Sequence, residues 1–220
     1  MTDASTARGA LTAAHAPDLA VKRLIDVTVA AVALVCTSPL FVLLVVLVRC
    51  SGPGGAMFRQ TRVGIDHEPF VMYKFRTMQV GCDATLHQDY VRRLLAGDVI
   101  ADGGLYKLPS DPRVTRIGSF LRRSSMDELP QLFNVLRGDM SLVGPRPALP
   151  YEVERFPSWA APRFTVRPGM TGLWQVSGRN RLSMLEGIRL DLEYVARRNL
   201  WTDLVILART VRAVLEGGAR

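Results

Sequence analysis

The chain has 220 residues, of which 48% are hydrophobic and 22% charged, so it is neither disordered nor large enough for several big domains. Its net charge is +8, and residues 51–220 carry +7 of that, which favours anionic partners such as lipid headgroups or phosphorylated substrates. Only three of the 28 basic residues are lysine (Lys22, Lys74, Lys107); arginine suits bidentate phosphate contacts, although codon bias would give the same ratio. Cys36, Cys50 and Cys82 show neither metal nor disulfide spacing, which points to a reducing compartment for the soluble part.

Residues 1–20 are small and polar and are expected to be a disordered N-terminus. Residues 21–50 form the membrane element. Leu24 to Val48 holds one charge, Asp26, and no small-residue cleavage site follows it, which argues against a cleaved signal. As a straight helix the run measures about 37 Å, enough to cross a ~30 Å hydrocarbon core. Two features argue instead for a re-entrant helix. Ser38-Pro39 interrupts the run and predicts a kink, leaving arms of about 22 Å and 14 Å, each too short to cross. The Ser38 hydroxyl can bond a backbone group that the kink frees. Both flanks are positive, Lys22 and Arg23 before and Arg49, Arg59 and Arg62 after, which suits entry and exit on the cytoplasmic face. Spans also contain proline, so a simple crossing stays open. Asp26 is expected near headgroup depth.

Residues 51–220 read as a separate cytoplasmic domain. Gly52-Pro53-Gly54-Gly55 is a hinge. Met57 to Val63 and Pro69 to Met78 read as two strands joined by a turn at Gly64-Ile65-Asp66. Alternation along the second puts Lys74 and Arg76 on one face, either as an anion-binding pair or as a solvated face. Residues 83–96 read as a helix, 97–112 as a loop, and Arg116 to Arg123 as the lead into the central segment. Ser183 to Arg198 is a helix opened by a capping box, Ser183 with Glu186. Thr202 to Leu215 is amphipathic and fits either a bilayer surface or the domain core. The fold class is therefore α+β and predominantly helical: a re-entrant helix plus a small catalytic domain with a short β-hairpin and amphipathic interfacial helices.

The chemistry concentrates in Ser125-Met126-Asp127-Glu128-Leu129-Pro130. Ser125 and Glu128 fit a capping box, Leu129, Leu132, Phe133 and Leu136 form an apolar stripe, and Gly138 ends the helix. Asp127 and Glu128 are then expected in its first turn, where the backbone favours carboxylates, phosphates and a hard cation. A carboxylate can also attack phosphorus. Acidic residues in a first turn are often only favourable electrostatics. What raises the site above that is a set of arginines on loops stiffened by proline or glycine: Arg146 in Gly144-Pro145-Arg146-Pro147, Arg167 in Arg167-Pro168-Gly169, and Arg179 with Arg181 after Gly178.

Several segments, in order from about residue 20 to 215, resemble the bacterial sugar transferases, the monotopic phosphoglycosyl transferases. They are Lys22-Arg23-Leu24-Ile25-Asp26, Ser38-Pro39, Tyr73-Lys74-Phe75-Arg76-Thr77-Met78, Asp127 through Val135, Gly138 through Pro147 and Val166 through Gly172. The resemblance implies a membrane helix broken at Ser38-Pro39 and a catalytic dyad of Asp127 and Glu128. It implies that Asp127 attacks the sugar-linked phosphorus of a UDP-sugar, releases UMP and passes the phosphosugar to undecaprenyl phosphate at the inner membrane. That step initiates exopolysaccharide, capsule or O-antigen synthesis. Mg²⁺ is the implied cofactor, held by Glu128 with Asp127. Arg122 and Arg146 match phosphate-binding positions; Lys74 and Arg76 match a basic strand motif, and Arg167 and Arg179 join the phosphate-binding set. Gly172-Leu173-Trp174-Gln175 leans towards glucose or galactose donors. The chain resembles the short form, without the extra N-terminal membrane helices of larger relatives; a homodimer is left open. A non-catalytic anion- or lipid-binding module is the alternative from another class. A nucleic-acid partner is not expected, because no recognition motif accompanies the basic charge.

Overall fold

The computed structural model describes residues 16–81, 113–178 and 182–215. The expected helix at 83–96, the loop at 97–112 and Arg179 lie outside these residues. Among the described residues the protein is mostly helical, with two small two-stranded sheets and one long apolar helix.

That helix, α1, spans Ala16–Cys50 and continues through Pro39 as 35 helical residues. The helical assignment is thus unbroken at Ser38-Pro39. The local chemistry explains why proline is tolerated. Proline lacks the N–H that would bond the Val35 carbonyl. The Ser38 hydroxyl donates to that carbonyl at 2.8 Å, and the Thr37 hydroxyl donates to Ala33 O at 2.7 Å.

One side of α1 lies along the domain. Ala30, with Ala33 and Leu34, packs into a core of Met72, Leu132, Val135, Met140, Leu142, Val143, Tyr194 and Ile206. Further along, Leu44 and Val48, with Leu40, Phe41 and Val45, pack with Ala56, Phe75 and Leu121. A fully buried leucine or valine contributes about 1.5–3 kcal/mol. The other side, including Leu24, Val29, Val32, Val35, Val42, Leu43 and Val46, is exposed. Polar contacts fix the first turns. Lys22 Nζ pairs with Asp203 at 2.6 Å, and Arg23 donates to the carbonyls of Val135 (2.6 Å) and Leu136 (3.0 Å). Asp26 is buried within the protein and accepts the Leu142 N–H at 3.1 Å.

β1 (Met57–Val63) and β2 (Pro69–Phe75) form an antiparallel hairpin, in register from Met57 opposite Phe75 to Val63 opposite Pro69. A 3-10 turn at Ile65–His67 joins them, with Asp66 and His67 at positive φ. The second strand stops at Phe75, short of Met78. The chain there turns to meet α2 (Arg116–Ser124), whose first residues bond back to it: Thr115 N–H donates to Thr77 O at 3.0 Å. α3 (Gln131–Arg137) ends at Gly138, whose φ of 95° requires glycine. β3 (Ser141–Val143) pairs in parallel with β4 (Gly169–Thr171), segments that the sequence presents only as loops. α4 (Pro150–Val153) and a 3-10 stretch at Ser158–Thr165 lie between them, and α5 (Leu173–Val176) follows.

α6 (Met184–Arg197) carries the expected capping box of Ser183 and Glu186. Its two backbone and side-chain bonds to Ser183 hold the Glu186 carboxyl below the usual range. α7 (Leu200–Leu215) divides its faces: Ile206 and Leu207 join the core, whereas Trp201, Leu204 and Val211 are exposed. It therefore packs on the domain and still presents an apolar outer face beside α1.

Close approach of α2 to the end of the hairpin depends on Gly118, where a Cβ would overlap the Thr77 carbonyl. Gly118→Ala should therefore destabilise the protein by about 1–3 kcal/mol despite alanine's better helix propensity. Thermal unfolding in detergent would check this; an unchanged or raised midpoint would show that the contact is dispensable.

Candidate active site

Asp127 and Glu128 sit in a 3-10 turn, Met126–Glu128, between α2 and α3. The expected capping box is not formed. Ser125 has φ 56°, a left-handed residue that ends α2, and its side chain caps nothing. The acidic pair thus lies one turn ahead of α3, not in its first turn, and Pro130 separates the two. Apolar neighbours hold the turn in place. Met126 and Leu129 flank the pair and pack against the core under α1 and α2, and Leu129 also reaches the second core. That leaves both carboxylates half-buried.

β2 supplies a cation to this turn. Lys74 Nζ lies 3.0 Å from Glu128 Oε1, with both side chains about a quarter exposed (24% and 29%). Such a pair contributes at most about 1 kcal/mol to stability, so its placement matters more for charge than for folding. Arg122, one turn before the pair, donates to Thr77 Oγ1 at 3.0 Å. The structure therefore gathers Lys74, Arg122, Asp127 and Glu128 around the end of β2. Thr77 was not expected; only the fold shows that it orients Arg122.

The other described basic candidates are held by other partners. Arg76 is 7% exposed and donates to the carbonyls of Val48 and Gly52 at 2.9 Å each, and to Pro53 O. It closes the C-terminal end of α1 and the hinge, so it stands apart from Lys74. Arg167 is exposed and donates to Gly138 O at 2.8 Å, beside Arg23 at the end of α3. Arg146 lies 3.5 Å from Glu152 Oε1, on a loop also bonded by Arg163 and Arg62. Glu152, Arg163 and Asp191 are functional candidates that sequence reasoning missed. A Pro-x-Glu start marks Glu152 as a helix-opening residue, but nothing local brings it to Arg146.

Asp191 is fully buried beside Arg163, at 2.7 Å. Burial outweighs that cation and pushes its carboxyl up from 3.8 to about 6. No group of three or more His, Cys, Asp or Glu side chains stands together among the described residues. Two adjacent carboxylates still fit a hard divalent cation that keeps its waters and shares phosphate oxygens, which is how Mg²⁺ is usually held.

The fold and site define a class: an anion-handling catalytic domain built against an exposed apolar helix. Comparison with known proteins makes the class specific. The model of the bacterial sugar transferase family matches residues 17–217. This chain belongs to that family. It is 43% identical over 193 residues to the exopolysaccharide production protein ExoY of Rhizobium meliloti, covering 88% of this chain and 84% of that protein. It is 43% identical over 197 residues to an undecaprenyl-phosphate galactose phosphotransferase of Salmonella typhimurium, covering 88% of this chain but 40% of that one. With the galactosyl transferase CpsE of Streptococcus agalactiae the identity is 40% over 200 residues, covering 90% of this chain and 43% of the relative. The chain thus spans less than half the length of several relatives.

Two predictions follow from the placement of charges. Arg76→Ala leaves the carbonyls at the end of α1 without their donor and should cost about 1–3 kcal/mol of stability. Substrate affinity of the folded fraction should not change, and a selective loss of affinity would place Arg76 in the site instead. For Asp191, the raised folded pKa means that the native state binds the extra proton between 3.8 and about 6. Its contribution to stability is present below 3.8 and is lost as pH rises through about 6. Asp191→Asn should remove that slope from the pH dependence of the unfolding midpoint; parallel curves for the two proteins would contradict the assignment.

Proposed function

We propose that this protein transfers a hexose-1-phosphate from UDP-glucose or UDP-galactose to undecaprenyl phosphate. The observation that carries this reading is the half-buried Asp127–Glu128 pair held beside Lys74 and Arg122, in a chain of the sugar transferase family. An undecaprenyl-phosphate galactose phosphotransferase and a UDP-glucose:undecaprenyl-phosphate glucose-1-phosphate transferase (Caulobacter vibrioides, 41% identical over 203 residues) among the relatives support the donor and acceptor classes. The product would start exopolysaccharide, capsule or O-antigen synthesis.

In this reading an Asp127 oxygen attacks the sugar-linked phosphorus. The bond from that phosphorus to the bridging oxygen breaks, and UMP leaves with the electron pair. The phosphosugar is then an acyl phosphate on Asp127. An oxygen of undecaprenyl phosphate attacks the same phosphorus, a diphosphate linkage forms, and the Asp127 carboxylate is released. Lys74, Arg122 and Arg146 bind and orient donor phosphates, and Arg167 and Arg179 are assigned to the same phosphate-binding set. Lys74 also orients Glu128. Mg²⁺, when bound, would be held by Glu128 with Asp127 and would neutralise phosphate charge.

The exposed apolar faces of α1 and α7 suit a lipid substrate. We place α1 as a re-entrant element of the inner membrane, with the catalytic domain on the cytoplasmic face. Docking of both halves of α1 on one domain supports this, since a helix crossing the bilayer would carry one half away.

The nucleophile is tested by following UMP release with UDP-sugar, Mg²⁺ and undecaprenyl phosphate. Asp127→Asn should lower the rate by at least about 1,000-fold; release at the wild-type rate would end the assignment. Topology is tested separately. Reporters at Thr2 and Arg220 should both be shielded from periplasmic labelling, and labelling of one end alone would establish a span.

A further inference from the structure

The loop carrying Arg146 is bonded at each of four successive carbonyls. Gly169 N–H donates to Pro145 O at 2.9 Å and Val63 N–H to Ala148 O at 2.9 Å. Between them, Arg163 Nη2 donates to Arg146 O at 2.8 Å and Arg62 Nη1 to Pro147 O at 2.9 Å. The donors come from β4, β1 and the 3-10 stretch Ser158–Thr165. With a proline on each side of Arg146 fixing φ, the backbone of this residue has little freedom left.

Arg163 is the member that must itself be held. The same Nη2 that donates to Arg146 O also donates to Asp191 Oδ2 at 2.7 Å. Its guanidinium lies over the ring of Phe156, 4.9 Å from the centroid. The two side chains of the ion pair are 3% and 1% exposed. Asp191 Oδ1, Arg163 Nε and Glu152 Oε1 are buried without a hydrogen bond. A buried pair with polar atoms left over is a poor source of stability; apolar side chains of similar size commonly do as well or better. The arrangement therefore calls for a reason other than stability, and the contact that an apolar pair could not make is the one to Arg146 O.

We infer that Asp191 and Arg163 are positioning residues: they fix the backbone of Arg146 so that its guanidinium meets a donor phosphate without reorganisation. This rests on the reading of Arg146 as a phosphate ligand. Positioning of this kind acts on donor binding and not on the lipid acceptor.

The test replaces the pair with an apolar one, Arg163→Met with Asp191→Leu, in the full chain in detergent with undecaprenyl phosphate and the UDP-hexose that is turned over. The unfolding midpoint should be retained, donor KM should rise about tenfold, and acceptor KM should stay within about twofold. On an Arg146→Ala background the same replacement should add less than about twofold to donor KM. A folded double variant with wild-type donor KM would overturn the inference, as would a full additive effect on the Arg146→Ala background. Failure of the underlying reading looks different: Arg146→Ala alone would then leave donor KM unchanged, and the inference would fall with it. If the double variant does not fold, Asp191→Asn is read against the same criteria.

Discussion

The structure depends on fastening an apolar helix lengthwise to a basic domain while leaving its other side bare. α1 could not be held by apolar packing alone, because its outer face is as apolar as its inner one. Polar contacts give it a single orientation. Lys22, Arg23 and Asp26 bind Asp203, the end of α3 and the Leu142 N–H at one end; Arg76 closes the carbonyls of the last turn at the other. Each contact uses a backbone group or charge that burial would otherwise leave costly. Between them the small side chains of Ala30 and Ala33 let the helix approach the core.

From this anchoring the placement of the acidic pair follows. The end of β2, the start of α2 and the turn at Met126–Glu128 all pack under the second half of α1 through Phe75, Leu121, Met126 and Leu129. The turn is held by apolar neighbours on both sides, and Glu128 meets Lys74 at ion-pair distance. Charges around the site are thereby sorted into two kinds. Some, such as Arg76 and Arg23, satisfy helix ends; others, such as Lys74 and Arg122, stand beside the acidic pair. Motif matching cannot make this distinction, because both kinds fall within the same short segments.

What the sequence reveals and what it conceals divide along local and non-local physics. The hairpin, the stop of α3 at Gly138 and the capping box of α6 rest on neighbours a few residues apart, and all were legible. The helical turn holding Asp127 and Glu128 was legible too, although not its place ahead of α3 rather than within it. The Ser125 capping box was misread because Ser125 must serve the preceding helix as its left-handed terminus and cannot also cap the next. The bond from the Ser38 hydroxyl to a backbone carbonyl that Pro39 leaves without its donor was legible as well. The parallel pairing of β3 with β4, the turn of Arg76 towards α1, and the Asp191–Arg163 contact join residues far apart in the chain. No local periodicity encodes them.

The central claim is that Asp127 bonds transiently to phosphorus. Intact-mass analysis of the protein mixed with UDP-sugar and Mg²⁺, but without the lipid acceptor, addresses it directly. The account predicts an added mass equal to one phosphohexose, located on the peptide containing Asp127 and discharged when undecaprenyl phosphate is supplied. Turnover to product with no adduct at any time, or an adduct on another residue, would contradict it.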